Sequence, residues 1–120
     1  MPQESGSVSP SLEARILIGL ADREHVECII DTGFDGALVL PRDLVVSLGL
    51  PILGGEEIEL VGGLLSWADI SLATVRWLGE EREAEILITE SPDHLIGTEL
   101  LQGTRLTIDY VGRTVSITKE

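Results

Sequence analysis

The residues best suited to chemistry are Asp31, Thr32 and Gly33, which follow the apolar run Cys28-Ile29-Ile30. An aspartate at the end of such a run, followed by a small hydroxyl residue and a glycine, makes a turn that lifts a carboxylate from a dry strand into a cleft. One carboxylate is only a weak base. Two that face each other a few ångströms apart cannot both ionise readily, so they share a proton. The pair then activates a water as base while protonating a carbonyl oxygen as acid. This chemistry needs neither a metal nor an organic cofactor. Asp, Thr and Gly also make ordinary turns through side-chain hydrogen bonds to backbone, so the triplet gains meaning only from its surroundings.

No other grouping competes with it. His25 and His94 have no matched Ser or Cys nucleophile and read as surface or core-edge residues. The single cysteine, Cys28, reads as a small buried residue; no Cys/His set has zinc spacing, so no metal site is expected. Trp67 and Trp77 lie ten apart on one strand-like stretch and read as core or dimer contacts, with Trp67 also placed to line a pocket. The acidic clusters Glu56-Glu57, Glu80-Glu81 and Glu83-Glu85 read as solvated faces.

Positioning these residues falls to a chain of 120 residues, enough for one domain but short for two complementary catalytic lobes. Hydrophobic residues make up 43% and aromatics 3%, so a core must come mainly from Leu, Ile and Val, whose β-branched members favour strands. Eight basic against 21 acidic residues give a formal charge of −13, which opposes nucleic acid and anionic membrane surfaces as partners. A lone cysteine fits a reducing cytoplasm, and no apolar run approaches the ~20 residues of a spanning helix. Residues 1–11 are polar, with Ser, Gly and Pro, and read as a flexible N-terminus ahead of a single domain over 12–120.

Within 12–120 the pattern is mostly strand. Leu12 to Ile18 and Val26 to Ile30 flank a polar reversal at Ala21-Asp22-Arg23-Glu24, and the second strand runs into Asp31. Ala37-Leu38-Val39-Leu40 has the unbroken apolar run of a strand buried on both faces. Pro41 to Leu48, ended by Gly49, is a short helix with Leu44, Val45 and Leu48 on its apolar face. Glu57 to Val61 and Leu64 to Trp67 form a hairpin turning at Gly62-Gly63, and a long strand to Leu78 reverses at Gly79-Glu80-Glu81-Arg82 into Ala84 to Ile88. Leu95-Ile96-Gly97, a second short helix over Thr98 to Gln102, and a final hairpin turning at Val111-Gly112-Arg113 complete the chain.

Three segments, in this order, resemble the retropepsin-like aspartic proteases, the single-lobe relatives of pepsin, and look most like the microbial members. They are Ile29-Ile30-Asp31-Thr32-Gly33-Phe34-Asp35, the hairpin around Gly62-Gly63, and Leu95-Ile96-Gly97-Thr98-Glu99-Leu100-Leu101. The resemblance implies an all-β, mostly antiparallel closed barrel with one or two short helices and a flap hairpin. It implies Asp31 as the catalytic carboxylate, Thr32 as the hydroxyl that ties two active-site loops across a dimer axis, and Gly33 as room for substrate backbone. Asp35 matches a substrate-contacting position, although it also reads as an aspartate closing a turn with Gly36; Gly62 and Gly63 match the tip of a flap that excludes water. One departure is Thr98, where retroviral enzymes carry an arginine that braces the active site and the dimer.

The chain contains one Asp-Thr-Gly, and Asp43, Asp69, Asp93 and Asp109 lack its context. A homodimer that places Asp31 opposite its symmetry mate supplies the second carboxylate. The expectation is therefore a cofactor-free aspartic endopeptidase acting on peptide or protein substrates, with apolar residues such as Leu38, Ile58 and Leu60 in its specificity pockets. The alternative is a catalytically silent dimerisation or peptide-binding module of the same fold.

Overall fold

The computed structural model describes residues 2–20 and 24–120. The first element corrects the expectation of a flexible start: Gln3–Val8 form strand β1. It lies between two neighbours, with Gly6 opposite Val115 on one side and opposite Ile16 on the other. Composition does not reveal this strand because backbone pairing holds it, while only Val8 among its side chains is buried. Gly6 is required here, since a Cβ at that position would strike the carbonyl oxygen of Arg15.

β2 (Ala14–Leu20) buries alternate residues Ala14, Ile16, Ile18 and Leu20 and pairs antiparallel with β3 (Glu24–Ile30), as the alternation requires. Most of the reversal expected at Ala21-Asp22-Arg23-Glu24 lies outside the described residues. β4 (Leu38–Pro41) is buried at all four positions. Helix α1 (Arg42–Ser47) begins after Pro41, buries Val45 and leads to Gly49 at φ +70°. β5 (Gly55–Glu59) and β6 (Leu65–Trp77) form the glycine-tipped hairpin, and β6 continues beyond it to pair with β7 (Glu80–Thr89).

The turn between β6 and β7 is tighter than expected, with Leu78 and Gly79 as its two residues, at φ +53° and +79°. Two positive φ angles match the twist of a two-residue hairpin. Leu78 tolerates this conformation because its side chain is buried and its N–H donates to Glu4 Oε2 of β1 at 2.8 Å. β8 (Leu95–Ile96), α2 (Thr98–Leu101), β9 (Thr104–Asp109) and β10 (Thr114–Lys119) complete the chain.

The ten strands of the described residues join in the order β5-β6-β7-β4-β8-β3-β2-β1-β10-β9, and a further pairing of β6 with β2 closes six of them into a ring. Two pairings are parallel, β3 with β8 and β4 with β7, and the rest are antiparallel. The ring encloses a core of Ile18, Leu20, Leu38, Leu40, Val75, Ile86, Ile96 and Leu100. Trp77 belongs to it, with its indole N–H satisfied by the Leu100 carbonyl at 2.8 Å. No helix of the described residues is long and apolar enough to cross a membrane.

Cys28 is fully buried in this core, and desolvation, aided by the charge of Glu27, pushes its thiol up to about 12. Because the folded state holds this proton more tightly than the unfolded chain, Cys28 supports stability below the ordinary thiol range, and that support is lost as pH rises from about 9 toward 12. A thiol reagent at neutral pH is expected to label Cys28 only in denaturant. Rapid labelling of the native protein would show that this part of the core opens readily.

Candidate active site

Asp31 is the first residue past β3, and its position is set by the parallel neighbour of that strand. Ile29 and Ile30 pair with Leu95 and Ile96 of β8, and the Asp31 N–H donates to the Ile96 carbonyl at 2.9 Å. The chain then turns. Asp31 Oδ1 accepts the Gly33 N–H at 2.9 Å, and the Asp31 carbonyl accepts the Phe34 N–H at 3.2 Å. A Cβ on residue 33 would lie 3.2 Å from Asp31 Oδ1, so glycine keeps the carboxylate uncrowded. Asp31 is half-buried, while Thr32, Gly33 and Asp35 are exposed.

The far side of this loop is braced by the start of α2. Thr98 donates twice to the Phe34 carbonyl, from its N–H at 2.8 Å and from Oγ1 at 3.2 Å; the Glu99 N–H reaches the Gly36 carbonyl at 3.2 Å. The Gly97 N–H donates to Ala37 at 2.9 Å, and a side chain at 97 would collide with Phe34 and Gly36. Gly97 and Thr98 are thus positioning residues of the loop. Sequence reasoning noted Thr98 as the site of a missing arginine; that its hydroxyl braces the loop of its own chain was not visible, because the contact spans 64 residues.

Above the loop stands the β5–β6 hairpin. Its glycine tip, Gly62 and Gly63 at φ +90° and +80°, is exposed and closed by Leu60 N–H to Leu64 O at 2.6 Å and Gly63 N–H to Leu60 O at 3.0 Å. Between loop and hairpin lies a cleft of about 730 Å³, walled by Gly33, Phe34 and Asp35 on one side and by residues 56–61 on the other, with Leu87 at its floor. The geometry therefore brings Asp35 together with Ile58 and Leu60. Neither Asp31 nor the tip glycines are among the residues that wall it.

A second recess of about 320 Å³ under the same hairpin is lined by Val39, Ile58, Leu60, Trp67 and Leu87. Arg42 stands at its border, donating to Asp69 Oδ2 at 2.9 Å and Glu90 Oε1 at 2.6 Å, and so links α1 to the base of the hairpin. Leu38, expected in a specificity pocket, is instead fully buried in the core, because β4 is covered on both faces; Ile58 and Leu60 do face the cleft. The two tryptophans part company: Trp77 is core, whereas Trp67 is 69% exposed and lies over Gly55, where any Cβ would meet its indole. His25, His94 and Cys28 line a separate cavity of about 460 Å³. Partial burial, then the neighbouring Glu56 and Glu99, push the Glu85 carboxyl above its ordinary range.

No family model matches the chain. An uncharacterized protein of Archaeoglobus fulgidus is 29% identical over 100 residues, covering 77% of this chain and 76% of that protein. Among solved structures, a retropepsin-like aspartic protease from Rickettsia conorii superposes with a TM-score of 0.70 at 15% identity, over 98% of this chain and 90% of that one. The fold is retropepsin-like. An inhibitor complex of EIAV protease superposes at a TM-score of 0.63 and 22% identity over 75% of this chain and 86% of that one. The solution structure of simian foamy virus (mac) protease does so at 0.53 and 15% over 72% and 90%. At these identities the likeness is one of fold, and chemistry has to be argued from the residues of this chain.

Proposed function

We propose that the chain is one half of an aspartic endopeptidase active site, completed by a second copy so that Asp31 of each faces the other across a twofold axis. The observation that carries this reading is the Asp31 turn. A half-buried carboxylate projects from the end of an apolar strand, is oriented by the Gly33 N–H, and stands on a loop that walls the cleft under a glycine-tipped hairpin.

In the dimer, one carboxylate is charged and the other protonated. A water between them loses a proton to the charged member as its oxygen attacks the scissile carbonyl carbon, and the carbonyl oxygen takes the proton of the other. Collapse of the tetrahedral diol breaks the C–N bond: the leaving nitrogen takes the proton from one carboxyl group while a diol hydroxyl gives its proton to the charged carboxylate, so the dyad again holds one proton. Thr32 would link the two loops through its hydroxyl, and the hairpin with Gly62 and Gly63 would fold over the substrate to exclude water. β5 is the terminal strand of the sheet, so its free edge suits an extended peptide that pairs as one more strand.

Half a site per chain has a kinetic consequence. Specific activity toward a mixed peptide library is expected to rise with protein concentration and to level off where sedimentation shows the dimer filled. Specific activity independent of concentration across that range, or no cleavage between pH 4 and 7 by folded dimer, would reject the reading and leave a peptide-binding module.

A further inference from the structure

The cleft between the Asp31 loop and β5 has an unusual charge. Asp35, Glu56, Glu57 and Glu59 all wall it, and among the described residues no basic one does. Acidic side chains alone would be a solvated face, as at Glu80-Glu81. These four differ because they line both walls of one groove, Asp35 on the loop that carries Asp31 and the three glutamates on β5, and because none of them has an ion-pair partner among the described residues. Among the described residues, Arg82 is paired with Glu99, Arg42 with Asp69 and Glu90, Arg15 with Glu13 and Glu27, and Arg76 with Glu81. None of the ion pairs includes a cleft carboxylate. Outside the cleft, Glu85 lies close enough to Glu56 that, after partial burial, the charge of Glu56 and then of Glu99 disfavours its ionisation.

The apolar walls complete the argument. Phe34, Ile58, Leu60 and Leu87 line the same cleft as the carboxylates. A lysine or arginine fits such a surface with both its parts: the aliphatic stem lies on the apolar residues while the charged head reaches a carboxylate, and a guanidinium also stacks on an aromatic face. We propose that this cleft selects peptides bearing lysine or arginine next to the bound segment. The inference rests on the reading of the cleft as the substrate site, and it refines that reading from peptides in general to cationic ones. A glutamate in the same place would meet like charges on both walls.

Three peptides with one apolar centre, flanked by Lys, Gln or Glu, separate the possibilities. Cleavage is measured with the full chain, and binding by fluorescence anisotropy with Asp31→Asn, each at about 0.05 M and about 1 M salt. The Lys-flanked peptide is expected to bind and react about tenfold better than the Gln-flanked one, and the Glu-flanked one worse than either. Two or three exposed ion pairs at a few-fold each give this factor, which high salt should shrink. Glu57→Gln with Glu59→Gln should bring the Lys-to-Gln ratio near one. Glu24→Gln with Glu83→Gln, an equal change of net charge away from the cleft, should keep it.

Binding of the Lys-flanked peptide without cleavage supports the charge preference and sinks the peptidase reading. Cleavage with no preference among the three does the reverse. A preference that survives the Glu57 and Glu59 changes, or that the distant pair abolishes, overturns the inference, and so does failure of all three peptides to bind.

Discussion

Asp31→Asn is expected to lower kcat by at least about 10³-fold, equivalent to about 4 kcal/mol of transition-state stabilisation, while the fold and the dimer persist. Asparagine is nearly isosteric with aspartate, and its side-chain oxygen still accepts the Gly33 N–H that Asp31 Oδ1 accepts at 2.9 Å. The Asp31 N–H to Ile96 bond is made by backbone and is untouched. What disappears is the ability to carry a charge or a transferable proton, and in a homodimer it disappears from both sides of the dyad at once. Stability should therefore change by no more than about 0.5 kcal/mol. Cleavage that continues undiminished in the variant would remove Asp31 from the mechanism. Loss of cleavage together with loss of fold would point to a structural role in the turn.

Gly97→Ala is expected to cost about 1–3 kcal/mol and to lower Tm by about 5–15 °C, with activity falling further than stability alone accounts for. A Cβ at 97 would lie 2.6 Å from the Phe34 carbonyl oxygen and would also strike the Phe34 ring and the Gly36 carbonyl. These two carbonyls are the acceptors by which Thr98 and Glu99 hold the loop, so making room for one methyl group means loosening the brace under Asp31. Thr98→Val, which removes only the 3.2 Å hydroxyl contact, should cost about 1 kcal/mol and serves as the milder comparison. Calorimetry and peptide cleavage on the two variants test the point. Wild-type Tm and activity in Gly97→Ala would mean that the loop is not held by this contact.

Both expectations depend on contacts that the sequence displays unequally. Local order carried much of the architecture. The alternation of Ala14, Ile16, Ile18 and Leu20 made β2, the unbroken apolar run at residues 38–40 made the doubly covered β4, and Pro41 with Gly49 bounded α1. The glycine pair at 62–63 announced the hairpin because positive φ there is a property of the residues themselves. The turn at Asp31 was legible for the same reason: Asp31 and Gly33 interact across two positions of one chain segment.

What the sequence by itself did not determine was set by residues far apart in the chain. β1 is a strand because β10 and β2 offer it backbone partners more than a hundred and about ten residues away, and its polar side chains carry no trace of that. Leu38 and Ile58 look alike in a sequence, yet one fills the core and the other walls the cleft, because only the closing of the ring decides which faces are covered. The same closure separates Trp67 from Trp77 and turns the Glu56-Glu57 pair, read as a solvated face, into the wall of a groove opposite Asp35. Hydrophobic period and turn chemistry act over a few residues and write the strands. Which strands become neighbours is a choice among long-range pairings, and that choice places the carboxylates around the cleft.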